Sequence, residues 1–93
     1  MKVRYTERAK GDLQIAFQWY ESQQRGLGLE FLNCVEAVIK TIQDMPKLYA
    51  KHHVNFRRAL VRRFPFSIFY TIEKEEIVLH AIFDNRQDPA RLP

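Results

Sequence analysis

The sequence predicts an α+β domain of order β-α-α-β-β-β, with an N-terminal strand and a helical hairpin packed on a mainly antiparallel sheet. Apolar residues recur at spacings of three and four through two consecutive stretches, and β-branched and aromatic residues crowd the last third of the chain. At 93 residues the chain is too short for two separately cored units, so residues 1–93 are expected to form a single domain.

Val3 and Tyr5 alternate with Lys2 and Arg4, the pattern of a short strand with one buried face. Thr6 is a suitable helix N-cap, with Glu7 near the positive helix end. Ala9, Leu13, Ala16, Phe17 and Tyr20 then form the stripe of a first helix running to Gln24, and Ile15 and Trp19 lie off that stripe, widening it towards a second contact. Arg25-Gly26 supplies a left-handed cap. After the Gly26-Leu27-Gly28 connection, Phe31, Leu32, Val35, Val38, Ile39 and Ile42 mark a second helix, which Met45-Pro46 stops. So short a connection makes the two helices an antiparallel hairpin that needs a further layer.

Phe56 to Phe64, Phe66 to Ile72 and Ile77 to Phe83 supply that layer as strands, the last two joined by the polar turn Glu73-Lys74-Glu75-Glu76. Alternation places Phe66, Ile68, Tyr70 and Ile72 on one face of their strand, and Ile77, Leu79, Ala81 and Phe83 on one face of the next. The opposite faces are mixed: Ser67, Thr71 and His80 beside Phe69 and Ile82. In the strand from Phe56, both parities carry arginine: Phe56, Leu60 and Phe64 go with Arg58 and Arg62, and Ala59 and Val61 with Arg57 and Arg63. The pattern leaves the buried face of this strand open, and a bulge near Arg62-Arg63 or Pro65 would reconcile it.

With 46% hydrophobic residues, three Gly and four Pro, the composition excludes a disordered, collagen-like or low-complexity chain. Fifteen Lys and Arg against eleven Asp and Glu give a formal charge of +4. No acidic residue stands between Asp44 and Glu73, while Lys47, Lys51, Arg57, Arg58, Arg62 and Arg63 all fall there. Such segregation suits an anionic partner, nucleic acid or acidic protein, and is equally the mark of a solvated basic face. The single Cys34 offers neither an internal disulfide nor a Cys/His zinc set, and no stretch approaches the roughly 18 apolar residues of a membrane span. A cytoplasmic protein without metal or cofactor is expected. His52-His53 falls in the loop after the second helix, with no third ligand at a recognisable spacing, and no glycine-rich phosphate loop or Ser/His/Asp arrangement occurs.

Several phrases stand in a telling order: Ala9 with Asp12-Leu13, Trp19-Tyr20, Gly26-Leu27-Gly28 with Phe31, and Arg57-Arg58 through Leu60. Arg63-Phe64-Pro65-Phe66, Ile68 with Tyr70, Ala81 to Phe83, and Arg86 with Asp88-Pro89 follow. Over nearly its whole length the chain resembles the RelE/ParE superfamily of type II toxin-antitoxin toxins, and its wording is closer to the ParE branch. The resemblance implies a small basic toxin of the plasmid-stabilisation kind, held in a hetero-oligomer by an acidic antitoxin whose extended segment wraps it. ParE-like members act on DNA gyrase and arrest growth, whereas RelE-like members cut messenger RNA in the ribosomal A site; one fold serves both chemistries.

Arg57, Arg58, Arg62, Arg63 and Arg86 are the candidates for binding the target or the antitoxin, through bidentate bonds to carboxylates or contact with an anionic surface. Strand alternation turns two of the first four away from the other two, so a functional pair is expected there. Under the nuclease alternative, Arg57, Arg63 and Arg86 would clamp phosphate and His80 would serve as base. The Tyr or His that the RelE-like pattern carries near its carboxyl end is missing, the chain closing Asn85-Arg86-Gln87-Asp88-Pro89-Ala90-Arg91-Leu92-Pro93. A toxin fold that retains only antitoxin binding is the third reading.

Overall fold

A computed structural model describes all residues, Met1–Pro93. The elements are β1 (Lys2–Tyr5), α1 (Glu7–Gln23), α2 (Leu27–Asp44), β2 (Lys51–His53), β3 (Phe56–Leu60), β4 (Phe66–Glu73) and β5 (Glu76–Asp84), closed by a 3-10 turn at Pro89–Arg91. They form the expected α+β architecture: one five-stranded sheet of order β1-β5-β4-β3-β2, antiparallel except where β1 runs parallel to β5. No helix is long and apolar enough to cross a membrane. No group of three His, Cys, Asp or Glu side chains is placed to hold a metal ion.

The helical hairpin is set by two local devices. Thr6 caps α1 by accepting the Ala9 N–H at 3.1 Å, and Gly26, at φ +88°, takes the left-handed conformation between the helices. Gly28 is already the second residue of α2, and a Cβ there would lie 2.8 Å from the Phe17 ring and 2.9 Å from the Phe17 carbonyl oxygen. The missing side chain lets the helices close. Tyr20, Phe31, Phe64 and Phe66 meet beneath them with ring centroids 4.9–6.0 Å apart, several edge-on, as aromatic quadrupoles prefer.

Three expectations are corrected. His52-His53 lies in a short strand, β2, paired antiparallel with β3. The strand from Phe56 ends at Leu60: Ala59 and Val61 face the helices, and Arg63, at φ +71°, belongs to the connection that follows. The conflict of parity is resolved by ending the strand. In β5 the alternation reverses. Tyr70 pairs with Leu79 but Phe69 with Ala81, so His80 is the extra residue of a bulge. Ile77, Leu79 and Ile82 therefore face the helices, while Ala81 and Phe83 join Phe69 on the other side.

Candidate functional site

The predicted site residues divide between the two faces of the sheet. Arg57 lies on the helix side, where its Nη1 donates to the Tyr49 carbonyl at 2.7 Å and the Lys47 carbonyl at 3.4 Å. Together with Tyr70, whose hydroxyl donates to the Pro46 carbonyl at 2.6 Å, it pins the connection between α2 and β2. Burial pushes the Tyr70 phenol up to about 12. Arg62 is exposed and forms no ion pair, and Arg63 stands 3.5 Å from Glu30 of α2.

Arg58 and His80 lie on the opposite face. Arg58 stacks over the Phe69 ring at 5.5 Å and is held by Ser67 and Asn85. His80 Nε2 contacts the Thr71 hydroxyl at 2.8 Å, its ring meets Phe56 edge-on at 4.8 Å, and Glu73 stands 3.8 Å away. Burial lowers the imidazole's pKa, opposed by the Glu73 charge and aided by Arg4. Arg57, Arg63, Arg86 and His80 are not brought together: the first is behind the sheet, the second pairs with α2, and the third follows the far end of β5.

Arg86 lines a groove that sequence patterning did not foresee. β1 ends at Tyr5 while β5 continues to Asp84, so the outer edge of β5 beyond the bulge has no strand beside it. Two side chains occupy part of that edge: the Thr6 hydroxyl donates to the His80 carbonyl at 3.2 Å, and Asp12 Oδ2 accepts the Ile82 N–H at 3.1 Å. Desolvation raises the Asp12 pKa above the ordinary carboxylate value, although the Ile82 N–H and Arg8 both favour its charge. Next to this edge, α1, the end of β5 and the C-terminal turn enclose a groove of about 730 Å³.

Ile15 and Trp19 on α1 line the groove while remaining 70% and 51% exposed, the two residues that lay off the sequence stripe. Arg8, Arg86 and Arg91 supply its cations. Arg8 also donates to the Arg91 carbonyl, tying the C-terminal turn to α1. Arg86 grips Asp84 with Nε to Oδ1 and Nη2 to Oδ2, each at 2.9 Å, and its backbone N–H reaches Oδ1 at 2.9 Å. This guanidinium holds the Asp84 carboxyl below its ordinary range and is itself raised in return. Tyr20 beside it is pushed up by burial, with Arg86 opposing.

Residues 3–89 match the family described as ParE toxin of type II toxin-antitoxin system, parDE. The chain belongs to the ParE toxin family. Its fold is similar to a solved structure described as the chromosomal ParDE TA system from P. aeruginosa, with a TM-score of 0.79 and 22% identity over 90% of this chain and 95% of that one. No curated protein matches the sequence significantly. For a ParE-family chain the groove is the notable surface, because it combines unburied apolar side chains, an unpaired strand edge and three guanidinium groups. The signal for it in the sequence was the pair of large apolar residues, Ile15 and Trp19, standing off the stripe of α1.

Proposed function

We propose that this ParE-family protein is the toxin of a type II toxin-antitoxin pair, that it arrests growth by inhibiting DNA gyrase in the cytoplasm, and that a cognate acidic antitoxin neutralises it. The family match over residues 3–89 carries the reading. The groove is consistent with the antitoxin's part: Ile15 and Trp19 offer anchors for an apolar side, Arg91 offers a charge that no carboxylate neutralises, and Arg8 and Arg86 are shared with Asp12 and Asp84 of the same groove. Arg86 reaches a partner with its guanidinium already oriented by Asp84, so little side-chain entropy is lost on docking. The protein acts in this reading as a binder; the arginines named for a phosphate clamp are dispersed about the fold and do not converge on His80.

The test is a brief induced pulse of the protein in cells, with and without the antitoxin from the adjacent reading frame, together with a supercoiling assay on purified gyrase. The expected result is growth arrest with intact messages, loss of supercoiling activity in vitro, and relief of both by the antitoxin. New RNA 5′ ends clustered within translated codons, with gyrase unaffected, would instead establish messenger cleavage. Absence of arrest would leave a fold that has kept only antitoxin binding.

A further inference from the structure

We infer that the end of the molecule opposite the groove is an interface on which a second copy of this chain docks across a two-fold axis. Met1, Met45 and Leu48 are 45%, 51% and 57% exposed there, and with Ile72 of β4 they line an open recess of about 570 Å³. Large apolar side chains gathered in contact with water mark a binding surface on a small domain. The recess sits where β4 ends and β5 begins, and the groove lies where β5 ends, so the two surfaces stand at opposite ends of one strand. The recess is rigid before any partner arrives. Tyr70 and Arg57 donate to the Pro46 and Lys47 carbonyls, the Leu48 N–H to the Met45 carbonyl at 3.1 Å, and the Gln43 amide to the Met1 carbonyl at 3.2 Å. Backbone already fixed in the free protein reduces the entropy lost on docking, and the unbranched methionines supply adaptable contact.

The charges around the recess select its occupant. Lys47 borders the recess on one side; on the other, past Met1 and Lys74, a second hollow carries Glu73, Glu75 and Glu76. Glu76 is paired with Arg4 and Glu73 accepts from Thr71, whereas Lys47 and Glu75 have no ion-pair partner within the chain. An apolar centre with an unpaired cation on one flank and an unpaired anion on the other is self-complementary. Rotation by half a turn about that centre sets Lys47 of each copy against Glu75 of the other, so the contact is made twice per dimer. An acidic peptide or a nucleic-acid strand would meet the carboxylates of the turn between β4 and β5; a second copy satisfies both signs. The groove stays open in such a dimer, which makes this inference independent of antitoxin docking there and of gyrase inhibition.

The test is sedimentation equilibrium on the full chain, from about 5 to about 500 µM, in low salt. The expected result is a monomer–dimer equilibrium in the micromolar range, as suits a small interface. Leu48→Glu sets a charge in the apolar centre of both copies and is expected to weaken association by at least about tenfold with the melting temperature nearly unchanged. Met45→Glu should do the same, which keeps the test valid if Leu48→Glu unfolds. Lys47→Glu and Glu75→Lys are each expected to weaken self-association about tenfold, while an equimolar mixture of the two variants associates as tightly as the parent, because every contact then joins opposite charges. Lys40→Glu, the same charge change on exposed α2, should move the equilibrium little. A monomer throughout the range, a dimer that survives both Leu48→Glu and Met45→Glu, equal losses from Lys47→Glu and Lys40→Glu, or a mixture no tighter than either variant alone would overturn the inference. Unchanged self-association with lost antitoxin affinity in Leu48→Glu would overturn it too, and would assign the recess to the antitoxin.

Discussion

Two helical glycines make opposite predictions, and the difference lies in what surrounds them. A Cβ on Gly28 would stand 2.8 and 2.9 Å from two carbons of the Phe17 ring and 2.9 Å from the Phe17 carbonyl oxygen. The ring can rotate, but the carbonyl belongs to α1 and cannot move without the helix. Overpacking of this kind costs about 1–3 kcal/mol, whereas Ala recovers at most about 1 kcal/mol of helix propensity. Gly28→Ala should therefore destabilise by about 1–2 kcal/mol, or about 5–15 °C in melting temperature for a domain of this size. At Gly11, in the interior of α1, a Cβ meets nothing within 4 Å. Gly11→Ala should stabilise by about 0.5–1 kcal/mol, because the unfolded chain loses freedom and the helix gains nothing that clashes. Urea and thermal unfolding of the two single variants measure both. If Gly28→Ala proves as stable as the parent, the interhelical approach at Phe17 does not limit the hairpin and the steric argument fails.

Further outcomes follow from the groove and from the titrating groups. Trp19→Ala should lower stability by about 1–2 kcal/mol, since about half of the indole is covered, and weaken antitoxin binding by about 2 kcal/mol in addition; thermal melts of the free protein and calorimetry on the purified pair separate the two, and full affinity in the folded variant would remove the indole from the interface. The Asp84 carboxyl is depressed below its unfolded value of 3.8 by Arg86, so its stabilisation is present above that value and lost as pH falls through the native one. Asp84→Asn should flatten the acid limb of stability against pH, and an unchanged limb would refute the linkage. His80 is depressed below 6.5 by burial, so its native state resists protonation and stability is lost as pH falls from 6.5 through the native value. His80→Gln should flatten the profile in that window, and an NMR titration of the imidazole that follows the free value would remove the effect.

Periodicity revealed the helices and the hairpin because each is governed by its own sequence: the Ala9-to-Tyr20 stripe, the Gly26 turn and the Glu73–Glu76 turn are local decisions. Pairings between distant segments were less legible. Lys51–His53 has no apolar alternation, and it becomes a strand only because β3 offers an edge. Arg57 and Arg58 are adjacent and alike in sequence, yet one pins a backbone connection by donating to carbonyls and the other stands unneutralised on the far face. What separates them is strand parity, which the arginines on both faces obscured. The groove arises from a mismatch in length between β1 and β5, a property of the assembled sheet that no single segment encodes.

The bulge at His80 shows how one residue redistributes the core, and it supports a deletion test. With His80 present, Leu79 points to the helices, Ala81 to the open face and Ile82 back beneath the helices. Removing His80 would leave Leu79, Ala81 and Ile82 consecutive, in regular alternation, with Tyr70–Leu79 and Phe69–Ala81 still paired. The lost interactions are those of the imidazole with Thr71 and Phe56 and of its carbonyl with Thr6. Deleting Val78 from the same strand has no such remedy. Either Ile77 moves to the open face and Glu76 towards the core, or the strand absorbs its bulge and sets His80 where Leu79 was buried, between the sheet and the helices. The deletion of His80 is therefore expected to fold and melt cooperatively at a reduced temperature, while the deletion of Val78 removes more than a marginal domain of about 5–15 kcal/mol can lose. Circular dichroism and thermal melts decide the matter: if the two deletions are equally damaging, His80 is not a removable insertion and the reversal of alternation in β5 has another origin.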